Sequence, residues 1–185
     1  MRRSAPRLTA GLLAALVLGG CGGPPEPSPF PKPTKSSSPS ASSTPTPPVM
    51  PAGAKAKTDQ AVEAFAKHFV SVINFATVTG ELKDLDALSG EACMTCRRLS
   101  ARLEQVYDRG GSIESSGWRV TGASVVSDQP LDRKYIDLAI VQSPQILVEK
   151  AGASPQKFPG GKQAMTMLIA RRGEGWVVTQ MSLAG

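Results

Sequence analysis

The chain has 185 residues, with 21 lysines and arginines against 15 acids and one histidine, for a formal net charge of +6. Residues 1–20 hold three of those arginines and no acid, so without that segment the balance is 18 against 15, or +3. So mild a basicity gives no ground for nucleic-acid binding.

The chain opens MRRSAPRLTAGLLAALVLGG. Arg2, Arg3 and Arg7 precede an uncharged apolar run, Leu8 to Leu18, which is too short to span a bilayer as a helix. Small residues then lead to Cys21, the layout of a secretory signal. The ending LGGC resembles a bacterial lipobox. That resemblance implies diacylation of Cys21 and anchoring, by palmitate-type chains, at the outer face of the cell membrane. Residues 21–53 carry eleven of the chain's 16 prolines together with Ser and Thr clusters. Such a composition cannot bury enough surface to offset the entropy of ordering it, and it reads as a disordered tether. At about 3 Å per residue its full reach is on the order of 100 Å.

Residues 54–185 have the size of one domain. Thr58 is an expected helix N-cap and Asp59 favours the helix dipole. Ala61, Phe65, Phe69, Val72 and Ala76 then recur at helical spacing until Gly80. A short helix is expected over Leu82–Leu88, and a third from about Met94 to Arg109, ended by Gly110-Gly111. Five strand-like runs follow: GWRVTGASVVSD, RKYIDLAIVQ, QILVEK, KQAMTMLIARR and GWVVTQMSL. The turn chemistry between them favours an antiparallel meander. The expected class is α+β, with three helices packed on one curved sheet of about five strands.

This order of elements resembles the nuclear transport factor 2-like fold, a curved sheet wrapped round an N-terminal helical layer to form a cone. The proline-rich tether, Gly80-Glu81, the Cys93/Cys96 pair and Gly110-Gly111 together resemble a family of actinobacterial lipoproteins. The resemblance covers residues 50–185 and implies a fold and a location. The family carries no agreed activity, and fold alone supplies none.

Cys93 and Cys96 flank the expected start of the third helix. In an oxidising compartment a structural disulfide is the first expectation. A helix N-terminus followed by Arg97 and Arg98 would also favour a reactive thiolate, which keeps thiol–disulfide chemistry open. A zinc site is the weakest reading, because the domain offers only two cysteines and one histidine.

His68 lies beside the apolar stripe of the first helix and is the sole acid–base candidate. In cone folds that helix lines the cavity, so the resemblance implies a pocket bounded by His68, Tyr107, Trp118, Met165 and Trp176. Strand alternation turns Asp137 to solvent, away from Ile136 and Leu138, which argues against a buried carboxylate base. Phosphate loops, nucleophile elbows and metalloprotease motifs are not found, and no cofactor is expected. The first functional reading is a non-catalytic, membrane-anchored lipoprotein binding a small molecule, a wall component or an envelope protein. The alternatives are acid–base chemistry in the cone cavity, using His68, and thiol chemistry at Cys93 and Cys96.

Overall fold

The computed structural model describes residues 45–184. The signal-like segment 1–20, the lipidation residue Cys21 and residues 22–44 of the tether lie outside the described residues.

Helix α1 spans Asp59–Thr79. The Thr58 hydroxyl accepts from the amide of Ala61 at 3.2 Å, a side-chain cap for a donor the helix cannot satisfy itself. Gly80 ends the helix in the left-handed region (φ 76°) and donates back to the Ala76 carbonyl. Helix α2 (Lys83–Leu88) and helix α3 (Met94–Asp108) follow. The Ser100 hydroxyl donates to Asp86 at 2.7 Å, tying α3 to α2.

Seven strands complete the fold: β1 (Ser112–Ser115), β2 (Trp118–Val125), β3 (Arg133–Gln142), β4 (Gln145–Val148), β5 (Gln156–Phe158), β6 (Gly161–Arg172) and β7 (Gly175–Ala184). They form two antiparallel sheets, ordered β2-β3-β6-β7 and β1-β4-β5. The α+β class holds, but the single five-stranded sheet expected from sequence is corrected to these two sheets of four and three strands.

The registers explain the difference. Gln142 faces Gly161 in one sheet and Gln145 faces Phe158 in the other, with no slip between. Strands β3–β4 and β5–β6 are therefore one long hairpin, and its register sets Pro144 opposite Pro159. Neither proline has an N–H to give, so the ladder breaks on both sides at one level and the hairpin bends there. Strands β1 and β2 continue the same line, since Ser115 faces Gln145 and Trp118 faces Gln142. Their break falls at Ser116–Gly117, where Gly117 takes φ 81°. The small sheet is thus the far end of the large one, folded over.

The inner face of the large sheet packs on α1. Phe65, Phe69 and Ile73 meet Ile136, Leu138, Ile140, Met165, Met167 and Ile169, all at most 2 % exposed. Each such side chain contributes about 1.5–3 kcal/mol by leaving water. The buried Lys134 joins sheet to helix, its ammonium lying 3.1 Å from the Asp59 carboxylate and donating to the Gln129 carbonyl.

Packing starts ahead of residue 54, inside the stretch read as tether. Met50 lies against the core, and a 3-10 turn at Ala52–Lys55 buries Ala54 completely. The Trp176 indole donates to the Ala56 carbonyl at 3.0 Å, and Arg171 donates to the Lys55 carbonyl at 2.8 Å while stacking on Trp176.

Candidate functional site

Folding the small sheet back over the helices leaves a cleft of about 390 Å³. One wall is α1, through Ile73, Asn74 and Thr77, and another is α3, through Leu99, Arg102, Leu103 and Val106. The folded-over sheet supplies Ile113, Ser115, Gln145, Leu147 and Phe158, and the bend itself supplies Gly117, Trp118 and Gln142. This volume lies within the range of small-molecule sites, which are concave and mostly apolar with a few placed polar groups. Arg102 is the one ionisable side chain among these lining residues.

Local chemistry holds each wall. Asn74 is half-buried on the side of α1 away from the Phe65–Phe69 stripe, and it uses its whole amide on the start of β2. Its Nδ2 donates to the Trp118 carbonyl at 2.8 Å, and its Oδ1 accepts from the Trp118 N–H at 2.7 Å. Trp118 faces Gln142 across the ladder, and the amide satisfies the N–H and C=O that β2, an edge strand, turns away from β3. Gly117 is required beside it: a Cβ there would come within 2.6 Å of the Asn74 side chain. On α3, Gly110 and Gly111 turn the chain so that Gly111 donates to the Val106 carbonyl and Ala151 to the Arg109 carbonyl. These bonds pin the end of α3 to the connection after β4. Across the lip, the Arg102 guanidinium lies 2.7 Å from the Glu149 carboxylate, with both side chains about half exposed.

Of the residues read from sequence as pocket walls, only Trp118 lines this cleft. Tyr107 lies behind it: its hydroxyl donates to the Thr77 carbonyl at 2.7 Å, and its ring packs where a Cβ on Gly80 would fall. Burial raises the Tyr107 pKa above its ordinary value, against a smaller opposing effect of a hydrogen bond with the Ile113 backbone. Met165 is fully buried core, and Trp176 belongs to the Lys55–Ala56 clamp. His68 is 7 % exposed on α1 and is absent from the cleft lining. Burial lowers its pKa, partly offset by the charge of Asp84. Asp137 faces solvent as expected and accepts from the Thr166 hydroxyl at 2.6 Å.

Cys93 and Cys96 are joined, with sulfurs 2.01 Å apart and Cα atoms 5.3 Å apart. Cys93 is the N-cap of α3, and its sulfur accepts from the Cys96 amide at 3.3 Å. Both cysteines are fully buried in the core cluster. The bond therefore fixes the α2–α3 connection and sets the start of the helix that walls the cleft.

Asn74, Arg102, Leu147 and Phe158 were not picked out from sequence. Asn74 gave no signal, because it lies on the side of α1 opposite the stripe of Phe65, Phe69, Val72 and Ala76. The other three depend on the fold-over of the sheet. Among the described residues no helix is long and apolar enough to cross a membrane, and no cluster of three or more His, Cys, Asp or Glu could hold a metal.

Comparison with known proteins gives a family and a fold. No curated protein matches the chain. Among solved structures, the intermembrane space region of the chloroplast protein ARC6 is similar with a TM-score of 0.53 at 11 % identity, over 69 % of this chain and 97 % of that one. An uncharacterised protein with a cystatin-like fold from Caulobacter vibrioides gives 0.45 at 11 % identity, over 70 % and 92 %. A nuclear transport factor 2-like protein with a cystatin-like fold from Novosphingobium aromaticivorans gives 0.38 at 10 % identity, over 69 % and 89 %. Identities this low speak for fold and not for function. Residues 32–182 match a family model described as a family of unknown function, DUF6318, and to that family the chain belongs.

Proposed function

We propose that the domain is a non-catalytic binding domain of the cell envelope, holding an apolar small molecule in the cleft between α1, α3 and the folded-over sheet. The secretory-type segment 1–20, the lipobox-like LGGC at Cys21 and the proline-rich tether support an extracytoplasmic, membrane-anchored setting. The observation that carries the reading is the cleft lining. Eight of its residues are large and apolar, among them Ile73, Leu103, Leu147 and Trp118, and carboxylate, imidazole and thiol are missing from the described lining residues. Acid–base catalysis needs a positioned proton carrier within reach of the substrate. His68, the candidate for that role, is packed into α1 away from the cleft. Thiol chemistry needs an accessible sulfur, and Cys93 and Cys96 are both buried.

The test is a titration of the full mature chain with the neutral apolar probe N-phenylnaphthylamine, read by its fluorescence. Saturable binding to the native chain is expected. Leu147→Trp, which fills the cleft from a half-buried position on β4, should weaken it about tenfold or more. Equal binding by the native chain and this variant would remove the cleft as the site.

A further inference from the structure

The cleft presents one charge to whatever enters it, and that charge stands at the lip. Arg102 lines the cleft from α3, and its guanidinium reaches across to Glu149, just past the end of β4. Its contacts are few: one terminal nitrogen donates to Glu149 at 2.7 Å and the other to Gln105 at 3.0 Å. The Arg102 and Glu149 side chains are 47 % and 45 % exposed. An ion pair this wet adds little to stability and exchanges readily with another anion. A guanidinium is also a planar fork that matches a carboxylate in a two-bond arrangement. Behind it the walls are apolar, running through Leu99, Leu103 and Val106 to Ile73, and Phe158 is 44 % exposed at the opening.

We infer that the cleft takes a free, single-chain amphiphile with a carboxylate head: the alkyl chain lies along α3 and the head displaces Glu149 from Arg102. The inference rests on the cleft reading above and adds the ligand's chemical class. The size of the cleft, about 390 Å³, suits one medium-length chain and not the two chains of a membrane lipid. Glu149 is then a built-in competitor that occupies Arg102 when the cleft is empty, and the guanidinium that lines the cleft disfavours cationic heads.

Three probes of equal chain length separate the claims: decanoate, decanol and decyltrimethylammonium, each below its micelle concentration, titrated by calorimetry into the full mature chain. Decanoate is expected to bind about tenfold tighter than decanol and the cation weakest, with the preference for decanoate falling as salt rises. Arg102→Gln should cost decanoate about tenfold and leave decanol unchanged. Glu149→Gln should strengthen decanoate several-fold, because the competitor is gone. Both positions are half exposed, so neither variant threatens folding. Decanoate and decanol binding equally, or decanoate indifferent to Arg102→Gln, overturns the head-group assignment and leaves the apolar cleft standing. Failure of all three probes to bind removes the cleft reading with it. Sedimentation with anionic phosphatidylglycerol vesicles that depends on Arg102 but not on an open cleft would transfer the arginine to a membrane surface and overturn the proposal.

Discussion

Replacing Asn74 by alanine tests how the cleft is built. Both halves of its amide are used on Trp118, at 2.8 Å and 2.7 Å, and both bonds cross from α1 to the first residue of β2. The variant leaves one backbone donor and one acceptor without partners at a half-buried level. Such an orphan costs about 1–3 kcal/mol where water is excluded. Water from the neighbouring cleft can reach part of this site, so the low half of that range applies, about 2–4 kcal/mol for the two together. Against a total of about 5–15 kcal/mol for an ordinary domain this is large and measurable. In urea denaturation the midpoint should fall with the slope unchanged, because the folded and unfolded states expose the same surface as before. Asn74→Asp should be at least as damaging, since the carboxylate keeps the acceptor but sets a negative charge against the Trp118 carbonyl. The variants should also weaken probe binding, because Trp118 and the bend at Gly117 wall the cleft. A loss below about 0.5 kcal/mol, the ordinary range for a neutral surface change, would refute this account of the bend.

Three further outcomes follow from the same packing. Gly80→Ala should cost at least about 1–2 kcal/mol from the left-handed backbone alone; the new methyl would also fall 2.5 Å from the Tyr107 ring, so a thermal melt showing no loss would contradict the contact. Removing the disulfide with Cys93→Ser and Cys96→Ser should cost about 2 kcal/mol by the loop-entropy relation for so short a ring. In the native chain the buried pair should resist dithiothreitol and alkylation until denaturant is added, and rapid native labelling seen by mass spectrometry would put the sulfurs within reach of solvent. His68 titrates near its ordinary 6.5 when unfolded and lower when buried, so the unfolded state binds the extra proton first. Stability should therefore be full above 6.5 and fall as pH drops through that value, with the slope reduced in His68→Leu; a slope unchanged by the variant would assign it to other groups.

Helix α1 was legible because every level agreed: a hydroxyl cap at Thr58, an apolar stripe of period 3.6, and a glycine where the chain must turn left-handed at Gly80. The strands β2, β3, β6 and β7 were legible for the same reason, being long and rich in branched and aromatic residues. Strand β1, reading Ser-Ile-Glu-Ser, and β5, reading Gln-Lys-Phe, carry too little apolar pattern to signal a strand, and their pairing with β4 supplies the order instead. The bend was hidden for a different reason. A single proline in the sequence marks no more than a turn or a strand end, and neither Pro144 nor Pro159 signals a fold line by itself. They act as a fold line only when the hairpin register sets them face to face, and register is a tertiary property. The cleft inherits that difficulty, since most of its wall comes from what the fold line brings over. His68 misled because position beside a stripe does not say whether a side chain faces a cavity or the packed interior.

The central claim is that the cleft is where a ligand sits. The most direct test is mapping of backbone amide chemical shifts of the isotope-labelled protein as decanoate is added. The account predicts shifts gathered at Asn74, Arg102, Val106, Ile113, Trp118 and Leu147, all of which line the cleft. Shifts confined to the exposed face of the large sheet, around Tyr135, Asp137 and Thr166, would contradict it.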